Sequence, residues 1–219
     1  MTAGVVLFDL DGTVSDSAAG ILASLRHAFT VNGIAPLDSV TERGLLGPPF
    51  YESLPPLVGA DNLWPVIESY REHYAEAMFD ASAYAGIADL LAALRHDGRR
   101  LAVATSKPEY YAIPIVEHLG LDRYFDTIGG DEPDGSLFTK ALVIGKVLAR
   151  LGHPDPSDVV MIGDRSHDVL GAREHGIDSI GAAWGYALPG ELEGAGPREI
   201  CATVAELGAA LGVPVDARR

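Results

Sequence analysis

Five short runs set the frame for this chain: GVVLF at 4–8, RLAVAT at 100–105, YFDTIGG at 124–130, DVVMIGD at 158–164 and DSIGAAW at 178–184. The first is apolar throughout rather than alternating, the pattern of a strand buried on both faces of a helix-covered parallel sheet. Between the runs lie helical patterns that stop at glycines: ADLLAALRHDG at 88–98, YAIPIVEHLG at 111–120, KALVIGKVLARLG at 140–152 and HDVLGAREHG at 167–176. A glycine there supplies the positive φ that closes a helix. Strands alternating with helices predict βα units around a mostly parallel sheet.

Residues 16–82 break that rhythm. GILASLRHAFTVNG at 20–33 and the stretch from Leu63 to Met78 carry helical patterns, with no convincing strand between them. The proline-rich LLGPPFYESLPPLVG at 45–59 predicts a break before a short further helix. An all-helical insert directly after the first strand is expected to be a cap, hinged near Ser15–Ser17 and Ala81–Gly86. The expected division is a core of residues 1–15 and 84–219 and a cap of residues 16–83. A chain of 219 residues, 47% hydrophobic, has room for an α/β domain and a small accessory one. Val215–Arg219 is expected to be a frayed tail.

Sixteen basic against thirty-one acidic residues give a net charge of −15, which disfavours nucleic-acid polymers and anionic membranes as partners. The single cysteine, Cys201, excludes an intrachain disulfide framework and suits a small buried apolar position. Asp9 and Asp11 interrupt the N-terminal apolar run long before a membrane span could form, and no basic segment precedes it. Neither a signal peptide nor a span is expected, so the cytoplasm is the default location.

The polar residues at the strand ends carry the chemistry. Asp9 and Asp11 stand two apart where the first strand gives way to Gly12, which permits a turn that brings both carboxylates to one centre. Asp9 fits a nucleophile that attacks phosphorus, and Asp11 a general acid/base that protonates the leaving oxygen and then activates water. The same spacing also suits a solvated turn. Thr105 and Ser106 close another strand with hydroxyl and amide donors for phosphate oxygens, followed by Lys107, Pro108 and Glu109. Lys140, after a Gly-Ser loop, offers a cation to the transferring phosphoryl group, although a lone lysine is ordinarily a surface charge. Asp164 ends the strand DVVMI as an oxygen ligand for Mg²⁺, Asp168 orients its water shell or holds Lys140, and Arg165 and His167 are supporting loop residues. In the insert, Arg43, Tyr51, Arg71 and Tyr74 are candidates to contact a leaving group. Tyr110, Tyr111 and the run Trp184-Gly185-Tyr186 are candidates for the cleft rim, with ordinary packing as the alternative for all of them.

FDLDGT at 8–13, Thr105-Ser106, Lys140 and GDRSHD at 163–168, in that order, resemble the four motifs of the haloacid dehalogenase-like hydrolases, over essentially the whole chain. The closer likeness is to the branch similar to phosphoglycolate phosphatases and 5′-nucleotidases, with a helical cap. The resemblance implies a Rossmann-like three-layer core and a cap that opens and closes. It also implies that Asp9 is nucleophile and metal ligand, that Asp11 is acid/base and lends its backbone carbonyl to Mg²⁺, and that Asp164 is a further ligand. Thr105, the backbone at Ser106 and Lys140 would hold the phosphate, with Asp168 supporting metal and lysine. Thr13 stands where related mutases commonly carry valine or isoleucine, which favours a phosphatase. The stretch LLGPPFYESL at 45–54 resembles the substrate loop of bacterial phosphoglycolate phosphatases or 5′-nucleotidases but lacks a glycine-rich VGxG form.

The expected activity is Mg²⁺-dependent hydrolysis of a small-molecule phosphomonoester, by a monomer or homodimer. The alternatives are a protein-tyrosine phosphatase, another phosphotransferase or mutase, and a non-catalytic phosphate-responsive binding protein.

Overall fold

The computed structural model describes residues 3–132 and 139–215. The Gly-Ser loop before Lys140 and all of the expected tail except Val215 lie outside them. A six-stranded parallel sheet forms the centre, built from β1 (Val5–Phe8), β4 (Arg100–Pro108), β5 (Thr127–Asp131), β6 (Val159–Gly163), β7 (Asp178–Ala182) and β8 (Glu199–Cys201). Their order across the sheet is β5-β4-β1-β6-β7-β8. Both faces are covered, as the unbroken apolar pattern of the first strand predicts. Val6 and Phe8 point into a core shared with α6 (Ile87–His96), α7 (Glu109–His118) and α11 (Val204–Ala210). Val5 and Leu7 point into a second core against α8 (Lys140–Arg150) and α9 (Ser166–Glu174). Leu7 is fully buried, so Leu7→Ala would cost about 2–5 kcal/mol.

The glycines that end the predicted helices, Gly98, Gly120, Gly152 and Gly176, all have positive φ. Strand limits shift where the sequence pattern is weakest. Tyr124 belongs to a 3₁₀ turn, and the chain joins the sheet only at Thr127, after the Asp126 amide has bonded Leu101 O. At 178–184 the strand stops at Ala182, before the turn containing Trp184 and Gly185. The short α10 (Glu191–Ala195) and the edge strand β8 complete this end of the sheet.

Between β1 and α6 the chain builds a helical insertion. It comprises α1 (Ala18–Val31), α2 (Ser39–Gly44), α3 (Phe50–Ser53), α4 (Pro55–Val58) and α5 (Ala60–Ala77). Pro49 precedes α3 and Pro55 opens α4, which is how the proline-rich stretch becomes two single turns. Among the described residues no strand lies between the two long helices, as expected, but a short ribbon closes the base of the insertion. β2 (Ser15–Asp16) pairs antiparallel with β3 (Ser82–Ala83), tying together the two segments expected to be hinges. A two-residue strand has no hydrophobic period to detect, so the sequence pattern is silent there.

Candidate active site

β1 lies between β4 and β6, and the chain winds away from it in opposite directions across the sheet, through β4 to β5 on one side and through β6, β7 and β8 on the other. At such a switch point the loops leaving the carboxyl ends separate and open a crevice. Asp9 follows β1, Thr105 and Ser106 lie in the far end of β4, and Asp164 follows β6, so all of them converge there. Lys140 joins as the first residue of α8, which Thr139 caps by accepting the Leu142 amide.

Lys140 is the electrostatic centre. Its side chain is buried, with Nζ 2.9 Å from Asp9 Oδ1 and 2.7 Å from Asp168 Oδ1, and it donates to Ala104 O at 3.0 Å. Burial works to lower its pKa, but the flanking carboxylates outweigh that and hold the ammonium above its ordinary range. Asp168 is set by its place in the first turn of α9, where Oδ2 accepts the Arg165 amide at 3.0 Å. Asp164, fully buried, accepts from the Thr13 hydroxyl at 3.0 Å and the Tyr186 amide at 2.7 Å. Two glycines allow this approach: Gly12, at φ +85°, and Gly185, where an added Cβ would strike Gly12 O and the Asp164 side chain.

Asp9, Asp164 and Asp168 each present a carboxylate oxygen, all within 4.8 Å of one another. Burial, Asp168 and Asp9 push the Asp164 carboxyl well above its ordinary range, and burial likewise raises Asp9 against the pull of Lys140. Four buried carboxylates, Asp9, Asp11, Asp164 and Asp168, face two buried ammoniums, Lys107 and Lys140. The surplus negative charge and the all-oxygen donor set match a hard divalent cation such as Mg²⁺. The Ser106 hydroxyl is buried without a hydrogen-bond partner, as expected of a donor kept for a ligand.

Asp11 is arranged differently. Its Oδ1 accepts from the Ser17 hydroxyl at 2.5 Å and its Oδ2 lies 3.0 Å from Lys107 Nζ. The carboxylate is therefore held by Ser17 and Lys107 and is not one of the three aspartates that cluster. Lys107, which the sequence reading passed over as a loop residue, is buried, and its ammonium also donates to Tyr74 OH at 2.7 Å. The available signal was its position in a strand end that the sheet buries.

A pocket runs from Asp11, Ser106 and Lys107 up into the insertion, where Phe50, Tyr70 and Tyr111 supply much of its wall. Tyr51 and Arg71 also line it, with Arg71 donating to Tyr51 OH at 2.8 Å, and Tyr74 lies between Tyr70 and Tyr111. Arg43 is not among the lining residues; it donates to Gly185 O at 3.0 Å across the seam between insertion and core. Arg165 makes the reciprocal contact, bonding Leu46 O of the insertion while Glu191 holds its guanidinium from behind. The His167 Nε2 is buried without a partner, and burial pushes that imidazole down to about 4. Tyr110 is exposed, whereas Trp184 donates to Thr13 O and Tyr186 bonds Ser17 and Asp16, so the latter two brace the first loop.

Residues 6–182 match the model of the haloacid dehalogenase-like hydrolases. The chain is 42% identical over 212 residues to "Tyrosine-protein kinase PtkA" of Mycobacterium tuberculosis, covering 95% of this chain and 72% of that protein. It is 36% identical over 205 residues to a 5′-nucleotidase of Pseudomonas aeruginosa, covering 92% of each. The crystal structure of "a predicted phosphatase from Clostridium acetobutylicum" superposes with a TM-score of 0.91 at 37% identity, covering 96% of this chain and 99% of that one.

Proposed function

The chain belongs to the haloacid dehalogenase-like hydrolase family, with the phosphatase-type core and helical cap, and from that premise we propose that it hydrolyses a small phosphomonoester with the help of Mg²⁺. The observation that carries the proposal is Lys140 bridging Asp9 and Asp168 beside Asp164 at the sheet switch point. Asp9 is the nucleophile. One of its carboxylate oxygens bonds to phosphorus as the bond from phosphorus to the leaving oxygen breaks, and Asp11 delivers its proton to that oxygen. Asp11 then takes a proton from water, the water oxygen bonds to phosphorus, and the Asp9–phosphorus bond breaks to release phosphate. Thr105, Ser106 and Lys140 hold the phosphoryl oxygens. Asp9, Asp164 and the Asp11 backbone hold the metal, with Asp168 steadying the arrangement. When bound, Mg²⁺ neutralises charge on the phosphoryl group.

We take residues 1–15 and 84–219 as the catalytic core and 16–83 as the cap, joined across the β2–β3 ribbon. The cap favours a nucleoside monophosphate over phosphoglycolate. The apolar wall of Phe50, Tyr70 and Tyr111 suits a planar base, whereas a two-carbon acid would leave that surface uncovered. The test is phosphate release from nucleoside monophosphates, phosphoglycolate, sugar phosphates and phosphotyrosine, with and without Mg²⁺, using Asp9→Asn as control. Turnover that survives Asp9→Asn would sink the mechanism. The 42% identity to a protein named for tyrosine kinase activity favours a second reading, phosphoryl transfer involving protein tyrosine. Transfer of label from ATP to a tyrosine-containing protein, exceeding hydrolysis of every small ester, would select it.

A further inference from the structure

Asp11 sits on a core loop, yet both of its carboxylate oxygens are held by groups that answer to the cap. Oδ1 accepts from Ser17, the residue that opens α1, while Oδ2 pairs with Lys107, whose second partner is the hydroxyl of Tyr74 on α5. The two long cap helices thus each reach the same carboxylate, α1 directly and α5 through one buried ammonium. That ammonium also lies 4.5 Å from the centre of the Tyr74 ring, so its place depends on the tyrosine twice over. Lys140, by contrast, is fully engaged with core groups, Asp9, Asp168 and Ala104 O. The two buried lysines therefore have separate tasks, one at the nucleophile and one at the acid/base.

We infer that Lys107 is a positioning residue that, with Tyr74, places the Asp11 carboxylate against the leaving oxygen only when the cap is closed. This rests on the phosphatase reading above, in which Asp11 is the acid/base. Opening the cap draws Tyr74 from Lys107 and Ser17 from Asp11, and leaves the carboxylate free to rotate. Proton transfer to the leaving group is then confined to the closed, substrate-filled state.

Tyr74→Phe keeps the ring between Tyr70 and Tyr111 and removes only the hydroxyl, so the fold is expected to survive. The experiment compares a nucleoside monophosphate, whose alkoxide needs a proton to leave, with p-nitrophenyl phosphate, whose phenolate does not. For Tyr74→Phe, the pre-steady-state rate of leaving-group release from the nucleotide should fall about tenfold with half-saturation within about twofold, while that from the nitrophenyl ester changes less than about twofold. The later hydrolysis of the Asp9–phosphorus bond, which also uses Asp11, is common to both esters. Lys107→Met should widen the gap to about a hundredfold. Equal losses in the release step on both esters would mark a structural role only and overturn the inference. Hydrogen exchange at residues 14–20 and 81–86 gives a readout that needs no turnover. Tyr74→Phe and Asp11→Asn should each speed it, and the double variant should go no further than the faster single one. Additive effects would overturn the inference. A wild type inert toward both esters would instead remove the phosphatase reading, and the exchange measurement would still decide whether cap and Asp11 are coupled.

Discussion

The carboxyl edge of the core and the inner wall of the cap meet in one pocket but are built on opposite principles. The core edge buries ions: Asp9, Asp164 and Asp168 around Lys140, each fixed by a strand end, a helix start or a backbone amide. The cap wall buries rings: Phe50 meets Tyr70 edge-to-face, Tyr70 stacks on Tyr74, and Tyr74 meets Tyr111 edge-to-face. Burying charges in water's absence is tolerated only with fixed partners at short range, so the ionic region has little freedom to vary without losing its chemistry. Stacked rings bury area with weaker directional demands, so the cap wall can be reshaped while the fold survives. On the proposed reading, reaction type belongs to the first region and substrate choice to the second.

The largest effect should fall on the ionic side. Asp9→Asn removes the attacking oxygen's charge while keeping its shape, and kcat should drop by about a thousandfold or more in a phosphate-release assay with the circular dichroism spectrum unchanged. Lys140→Met should follow, with kcat down about a hundredfold, and it should also strip Asp9 and Asp168 of their shared cation. That second loss is worth about 3–5 kcal/mol in urea unfolding, partly recovered when Mg²⁺ is added. If Lys140→Met left stability unchanged, the contrast between a rigid ionic edge and a tolerant cap would be wrong.

A smaller effect should come from the clasp between the regions. Burial tends to raise the Glu191 carboxyl, but hydrogen bonds from Arg165, Leu188 N and Ser166 N overcome it and hold it at about 2, against an ordinary 4.5. A folded pKa below the unfolded one stabilises the fold above pH 4.5 and loses that contribution as pH falls from about 4.5 toward 2. The contribution is about 2–3 kcal/mol, after allowance for partial exposure of the carboxylate. Glu191→Gln should flatten the acid limb of the stability curve in that window, and an unchanged limb would show that Arg165 needs no clasp.

The smallest effect should come from the cap wall. Tyr51→Phe breaks the Arg71–Tyr51 bond in a partly buried setting and should lower kcat/KM on the preferred nucleotide by about five- to tenfold, mostly through KM. Thermal unfolding should move by no more than about 2 °C. A fall in kcat as large as that of Lys140→Met would erase the division of labour between the two regions.

The ionic region was legible in the sequence because its parts are local signals. A strand end followed by Asp-Leu-Asp-Gly, a hydroxyl pair closing a second strand, and Gly-Asp closing a third each place a side chain at the same sheet edge whatever the rest of the chain does. Lys107 is harder to read: its place in a buried strand end is the one local signal, and its partners, Asp11 and Tyr74, are far away in the chain. Arg43 shows the same gap from the other side. Its place on a short cap helix says nothing of a core partner, and the packing brings it onto Gly185 O at the seam.

The sequence by itself thus determined the parallel sheet, the helical insert and the residues at the strand ends, because apolar period, glycine stops and motif spacing act over a few residues. The tertiary structure alone decided which buried charge faces which, that Asp11 pairs with Lys107 while Asp9 pairs with Lys140, and how Tyr51, Arg71 and Tyr74 combine into a wall. Those outcomes depend on the angle at which two layers meet, and electrostatic energy in a buried site changes by kilocalories over an ångström or two, a distance that no local pattern encodes.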